Sequence, residues 1–281
     1  MRLSPTDARR KRDQLMTDGY TVVPVVFGEP LLRDLRTWTH TIFERQTVDP
    51  RFRYQGSDFH AYSPARWAQR ESRTAEDRSI ADPIVDRFLG DPALRAVRDA
   101  LQLEGLKALE SLIILSKPAH GPPLYWHQDF MDWNSPAAAT PWPTRISLST
   151  YLTDTSVENG CLRVIPGTHR RRIDLHDHLP DAHEAEIQAI DDLNHPAFMD
   201  HPDAVDVELR AGDLVVADAR LLHAARPNTS DAQRTLVLAW HDVFPFPDPP
   251  SWWTGPIPEA VRTPDTTAVY EGSRTPGAHL R

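Results

Sequence analysis

Between residues 29 and 46, apolar side chains fall at Leu31, Leu32, Leu35, Trp38, Ile42 and Phe43, a spacing that predicts an amphipathic helix with one buried stripe. Ahead of it, Ser4-Pro5-Thr6-Asp7 reads as an N-cap, a proline at the first helical position and an early acid. Asp18-Gly19 reads as the stop, so a first helix is expected over about 5–18. The intervening run 20–27 is β-branched and aromatic but holds Pro24, which confines it to a sheet edge or a bend. Short helices are expected at 82–89 and 92–101, with Gly90-Asp91 as the break. From Leu106 the pattern switches to short strand-like runs punctuated by Gly, Pro, Asn and Asp: 106–117, 125–131, 145–153, 161–165, 205–209, 214–218 and 234–243. Helices followed by many short strands predict a mainly β fold with flanking α, an antiparallel sandwich or barrel backed by N-terminal helices. The aperiodic stretch 47–79 is long enough to serve as a lid, and the proline-rich segment after Phe244 should wrap the surface.

Composition narrows the class without changing that outline. A chain of 281 residues, 40% hydrophobic and 25% charged, suits one large globular domain. We expect that domain over 1–245, with a loop-rich insertion at about 170–205 and a tail over 246–281. The 40 acidic groups outnumber the 31 basic ones, a net charge of −9 that repels nucleic acid and anionic membranes. The one basic cluster, Arg170-Arg171-Arg172, runs straight into the acidic, His-rich tract 174–192. A lone cysteine, Cys161, makes no internal disulfide, and residues 1–18 hold no apolar targeting core, so a reducing, cytoplasmic setting is expected. The expected partner is a small molecule; oligomeric state is not readable.

Chemistry concentrates in the run Tyr125-Trp126-His127-Gln128-Asp129-Phe130, where an imidazole and a carboxylate stand two positions apart in a strand-like segment. A period of two sends both to one face. His223, after the strand 214–218, is the best candidate for a third ligand, and two imidazoles with one carboxylate suit non-haem Fe(II) with positions left open. His127 reads equally well as a hydrogen-bonded core histidine, and Asp129 as a turn carboxylate. A second His-x-Asp, His201-Pro202-Asp203, has proline at its centre in a polar run, which removes the strand alternation the argument needs. Eleven residues beyond His223, Arg234 opens an apolar strand. Facing inward it would need an anion such as a dicarboxylate; facing outward it would pair with Asp213 or Asp218. His169 follows a turn and not a metal-facing strand, while His176, His178 and His183 fall in a polar insertion that could bind adventitious zinc but is expected to hold solvated loop residues.

The set HQD at 127–129, NGCLRVIPGTHR at 159–170, His223 and Arg234 resembles the phytanoyl-CoA dioxygenase-like (PhyH) family of Fe(II)/2-oxoglutarate-dependent oxygenases, over about Asp18 to Val243. The resemblance implies a double-stranded β-helix, or jelly roll. It also implies Fe(II) held by the catalytic set His127, Asp129 and His223, 2-oxoglutarate with its 5-carboxylate on Arg234, and O2 at the remaining position. The run WHQDFMDW at 126–133 is similar to ectoine hydroxylases, which implies that Trp133 lines the substrate pocket; residues 134–143 depart from that pattern, and the aromatic content around Trp126, Phe130 and Trp142 suggests further flat pocket walls. By the same resemblance Ser147 bonds the cosubstrate carboxylate alongside Arg234, with an ordinary strand hydroxyl as the alternative. Ala225 stands where some relatives carry a cosubstrate-binding hydroxyl, and Lys117 is close enough in sequence to the metal segment to reach the cosubstrate, or else is solvated. A carboxylate at 129, where halogenating relatives have a small residue, implies hydroxylation, epimerisation or desaturation of a small metabolite in specialised biosynthesis. The competing class is a jelly-roll metal- or ligand-binding protein with no use for 2-oxoglutarate.

Overall fold

The computed structural model describes residues 3–45, 53–54, 57–62, 83–105, 111–244, 246–265, 267–270 and 272–274. Helix α1, Pro5–Asp18, begins where the Ser4 hydroxyl accepts from the Asp7 amide, and it ends at Gly19 with φ of 85°. Strand β1, Tyr20–Val23, stops before Pro24. Helix α2, Glu29–Arg45, buries Leu31, Leu32, Leu35, Trp38 and Ile42. Helix α3 spans 83–89, and α4, Pro92–Leu101, starts on an Asp91 cap.

The strands are β2 Arg53–Tyr54, β3 Ser57–Tyr62, β4 Ser111–Lys117, β5 Leu124–His127, β6 Arg145–Tyr151, β7 Leu162–Val164, β8 Val205–Val207, β9 Leu214–Asp218, β10 His223–Ala225 and β11 Arg234–Asp242. They form a seven-stranded sheet, order β1-β9-β6-β11-β4-β3-β2, and a four-stranded sheet, order β5-β10-β7-β8. Among the described residues, every pairing between these strands is antiparallel.

Alternation along the large sheet gives it two apolar faces. Leu112, Ile114, Ile146, Leu148, Leu214, Val216, Val237 and Ala239 share a core with Leu15, Leu35, Trp38, Phe88 and Val97 of the four helices. Each such side chain contributes about 1.5–3 kcal/mol when fully buried, so this layer anchors the sheet. The opposite face, with Tyr151, Val215 and Leu236, meets Val164 of the small sheet, and a cavity of about 470 Å³ lies between the two sheets.

Several expected boundaries shift. Strand β10 is absent from the sequence reading because three residues, His-Ala-Ala, carry too little β-branched or alternating signal. Within the expected lid at 47–79, β2 and β3 instead extend the large sheet through pairing of β3 with β4; the rest of that stretch lies outside the described residues. The tail does more than wrap the surface. Val261, in the short helix α6 (Glu259–Arg262), is fully buried in the helix-side core, and Trp253 packs edge-on against Trp142. The insertion contains a 3-10 turn, Asp174–His178, and one helical turn, α5, Ala185–Gln188. Among the described residues no helix is long and apolar enough to cross a membrane.

Candidate metal centre

Strand β5 ends at His127, and the chain continues to Asp129, whose amide donates to the Ala219 carbonyl at 3.0 Å. The strand is shorter than the expected 125–131, yet this bond keeps the carboxylate on the face of His127. Strand β10 lies beside β5 with His223 in register with His127, and their rings are 4.2 Å apart. His223 Nε2 is 3.2 Å from Asp129 Oδ2, and His127 Nε2 is 3.5 Å from Asp129 Oδ1. Both imidazoles are fixed from behind: His127 Nδ1 bonds the Tyr125 carbonyl at 2.9 Å and His223 Nδ1 the Leu221 carbonyl at 3.1 Å. A ring that donates through Nδ1 to a carbonyl presents the Nε2 lone pair, which is how a metal-binding imidazole is held.

Charge at this cluster also suits a cation. Burial, helped by the neighbouring His223, pushes the His127 imidazole well below its ordinary range, toward the neutral form. Burial alone would raise the Asp129 carboxyl, but His223 and His127 beside it hold it well below the usual carboxylate range. Burial disfavours a charged His223, and the Asp129 charge outweighs that and raises it. An ionised carboxylate among converging nitrogen donors fits a divalent first-row metal.

A third imidazole joins the cluster. His183, in the insertion, reaches in so that its Nε2 is 2.8 Å from Asp129 Oδ1, and its ring is 4.7 Å from that of His127. His127, Asp129 and His183 bring ligand atoms within 4.8 Å of one another. The expectation of a solvated loop histidine fails because tertiary contact delivers the residue; nothing periodic in the sequence marks it. His176 is buried too, bonded to the Ile173 carbonyl, while His178 is exposed. His169 is buried and bonds the Met16 carbonyl.

The other end of the cavity is cationic. Arg234 and Lys117 are register partners on β11 and β4, and both are buried. The Arg234 guanidinium lies 5.2 Å above the Tyr151 ring, its Nη1 is 3.5 Å from the Tyr151 hydroxyl, and its buried Nε has no partner. Neither Asp213 nor Asp218 pairs with it: Asp213 accepts from the Val25 and Arg210 amides, and Asp218 is held by Arg220. Lys117 Nζ donates to the Pro122 carbonyl, and burial, then the Arg234 charge, depress it to about 7. The buried, unpartnered Arg234 Nε is the feature that a bound carboxylate fits.

The remaining candidates separate. Ser147 faces the cavity but pairs with Trp240, six residues along β11 from Arg234, a distance of roughly 20 Å along the strand. It is therefore too far to share a carboxylate with Arg234, and Tyr151 of the same strand stands there instead. Ala225 lines the wall between Leu124 and Leu162. None of the expected substrate aromatics Trp126, Phe130, Trp133 and Trp142 lines the cavity. Trp126 is fully buried on the reverse face of β5, because the alternation that turns His127 inward turns its neighbour outward; its Nε1 donates to the Met199 carbonyl at 2.9 Å. Phe130 and Trp133 pack edge-on, 5.2 Å apart, behind Trp240, which, unlike them, does face the cavity.

The turn between β9 and β10 is braced from below. Arg220, 1% exposed, forms a two-pronged pair with Asp218 and donates to the carbonyls of Ala138, Thr140 and Trp142. Gln128 donates in turn to the Arg220 carbonyl, which ties the Asp129 segment to this brace.

Comparison with known proteins finds relatives in sequence and in fold. Ectoine dioxygenase of Bordetella parapertussis is 27% identical over 192 residues, covering 66% of this chain and 62% of the relative, so the match spans less than two thirds of that protein. The solved structure of the α-ketoglutarate-dependent epimerase SnoN from nogalamycin biosynthesis superposes with a TM-score of 0.58 at 22% identity, over 85% of this chain and 84% of that one. HygX from Streptomyces hygroscopicus, solved with nickel, 2-oxoglutarate and hygromycin B, gives a TM-score of 0.59 at 21% identity, over 95% and 98%. The family model described as phytanoyl-CoA dioxygenase (PhyH) matches residues 15–236, and the chain belongs to this family of Fe(II)- and 2-oxoglutarate-dependent oxygenases.

Proposed function

We propose that this protein is an Fe(II)- and 2-oxoglutarate-dependent dioxygenase that hydroxylates a C–H bond of a small metabolite in specialised biosynthesis. His127, Asp129 and His223 hold the iron, and Arg234, with Lys117 beside it, receives the 5-carboxylate of 2-oxoglutarate. The observation that carries this reading is the polarity of the cavity. A metal-type donor cluster stands at one pole, and two buried cations, without a carboxylate among the described residues, stand at the other. A diacid spanning the two poles satisfies both, whereas a simple metal-binding barrel has no use for the cations.

Iron and 2-oxoglutarate supply the oxidation: R–H, 2-oxoglutarate and O2 become R–OH, succinate and CO2. The chain's own residues bind, orient and exclude water. His127 and His223 are aimed by backbone carbonyls, Asp129 contributes a charge that offsets the cation, and Arg234 fixes the cosubstrate from its far end. Leu115, Leu236 and Val164 wall the path between the poles with apolar surface. Trp240, Met131 and the Arg145–Asp242 pair, 2.9 Å apart, line the part of the cavity left for substrate. Its volume suits a molecule of ordinary metabolite size.

The two sheets are read as a double-stranded β-helix backed by the N-terminal helices, in one catalytic domain. Residues 252–261 of its tail pack against the helix-side core. The buried, unpaired Cys161 supports a reducing, cytoplasmic setting. Names of similar proteins, which include ectoine, nogalamycin and hygromycin B chemistry, support a small polar or polycyclic metabolite as substrate.

The test is succinate release from 2-oxoglutarate, with Fe(II) and ascorbate, across a panel of amino acids, cyclic amines, aminoglycosides and polyketides. Stimulation by one class, with a product heavier by one oxygen and lost in His127→Ala, is expected. A product of unchanged mass would replace hydroxylation by epimerisation, and no 2-oxoglutarate binding at all would return the chain to the binding-protein class.

A further inference from the structure

His183 stands against Asp129 but is held differently from the two histidines behind the proposed metal. His127 and His223 each turn Nδ1 toward a backbone carbonyl. His183 Nδ1 instead meets the Tyr125 hydroxyl at 2.9 Å, and its Nε2 meets Asp129 Oδ1 at 2.8 Å. An ionised carboxylate only accepts hydrogen bonds, so His183 Nε2 carries the proton in that contact. Tyr125 can donate its own proton to Nδ1, which completes a relay of donors from Tyr125 through His183 to Asp129. Tyr125 is fully buried, and its carbonyl is the same group that aims His127.

The segment carrying His183 is clamped from three sides. His183 adopts φ of 64°, an uncommon conformation for a residue with a side chain, which surrounding structure must impose. Arg274 from the tail donates to the Ala182 carbonyl at 3.0 Å and pairs with Glu184 at 2.7 Å, gripping the residues on either side. Gln188 donates to the His183 carbonyl at 2.7 Å. The His183 side chain is only 19% exposed.

We propose that His183 is a positioning residue for the metal centre: its Nε2–H engages Asp129 Oδ1 and leaves Oδ2, the oxygen facing His223, as the single carboxylate ligand atom. A carboxylate held by one oxygen takes one coordination position rather than two. That preserves the open positions which a keto acid and oxygen must share. The inference rests on the reading that His127, Asp129 and His223 bind the metal.

The test uses the full-length apoprotein and cobalt(II), read by equilibrium dialysis, by ligand-field absorption and by the thermal midpoint of the metal-free chain. Wild type, His183→Ala, His183→Gln and Tyr125→Phe are compared with His127→Ala. One cobalt per chain is expected in all but the last. Affinity should fall about 10–100-fold in His183→Ala, the scale for residues that orient a ligand. It should recover largely in His183→Gln, whose amide can still donate to Asp129, and fall less in Tyr125→Phe. The absorption of His183→Ala should shift as the second carboxylate oxygen joins the metal. Unchanged affinity and spectrum in His183→Ala overturns the proposal. So does loss of binding as complete as in His127→Ala without rescue by glutamine, which makes His183 a ligand. Failure of wild type to bind cobalt overturns the metal site itself, a result distinct from either.

Discussion

Lys117 and Arg234 face each other across β4 and β11, 1% and 4% exposed, and among the described residues no carboxylate stands between them. Two like charges placed together in a protein interior raise the cost of folding unless an anion joins them. The proposed cosubstrate is that anion. Arg234→Ala should remove charge-assisted bonds contributing about 2–3 kcal/mol, weakening 2-oxoglutarate binding roughly 30–150-fold. Arg234→Lys should restore part of this, since an ammonium cannot bind a carboxylate with two parallel bonds. Calorimetric titration of the protein with 2-oxoglutarate in the presence of a redox-inert divalent metal checks it, and equal affinity in Arg234→Ala removes the clamp from the model of the site.

Lys117 should make the stability of the ligand-free protein depend on pH. Burial, then Arg234, lower its folded value to about 7 from the ordinary 10.5. Below pH 7 the ammonium is charged in both states, and the folded protein bears the full cost of burying it. Between 7 and 10.5 the unfolded chain holds a proton that the folded chain has released, so stability rises with pH across that window. The urea midpoint should therefore climb from pH 7 upward, and Lys117→Met should lose this climb. Binding of a dianion favours the charged lysine, so Lys117 should take up a proton when 2-oxoglutarate binds, and the cosubstrate should bind less tightly as pH increases. Binding heats measured in buffers of different ionisation enthalpy report that proton directly.

Arg220 and Asp218 form a pair with both side chains 1% exposed, closed by three carbonyls of the 138–142 segment. Removing one member of such a pair leaves the other charge buried, at a cost of about 3–5 kcal/mol. Arg220→Ala should lower stability by that amount in urea denaturation. It should also weaken metal binding, because the Arg220 carbonyl receives Gln128 and the adjacent Ala219 carbonyl receives the Asp129 amide. Loss of stability with intact metal affinity would separate the brace from the site.

What the sequence made legible follows from what period and spacing can encode. His127 and Asp129 lie two apart beside aromatic strand residues, so their common face was readable without coordinates, whereas Arg234 reaches the cavity from β11 of the large sheet and not through a hairpin with β10, which pairs in the small sheet with β5 and β7. The same period of two, applied to Trp126, already places it on the far side of β5, so aromatic content alone is no guide to what lines the pocket. Ser147 and Tyr151 share a face of β6, and only the register with β11 decides which one reaches Arg234. His183 was beyond reach for a different reason. Its segment carries no regular pattern, and its position depends on Tyr125, Gln188 and Arg274, residues 58, 5 and 90 or 92 positions distant from their partners in the clamp.

Gly160 couples the turn chemistry to the cationic pole. Its φ of +86° disfavours any residue with a Cβ, and a Cβ there would lie 2.9 Å from both the Arg226 carbonyl oxygen and Lys117 Cδ. The carbonyl cannot yield easily, since the Arg226 amide is bonded back to the Cys161 carbonyl at 3.0 Å. Gly167 provides the control: its φ is +83°, but an added Cβ would come no closer than 3.9 Å to the Thr17 carbonyl oxygen, an ordinary contact. Gly167→Ala should therefore show the backbone penalty alone, about 1–2 kcal/mol. Gly160→Ala should lose more stability than that and, by displacing the Lys117 side chain, should also weaken 2-oxoglutarate binding, which Gly167→Ala leaves unchanged. Thermal denaturation paired with cosubstrate titration of the two variants distinguishes these effects, and equal cosubstrate affinity in both would show that Lys117 does not take part in holding the diacid.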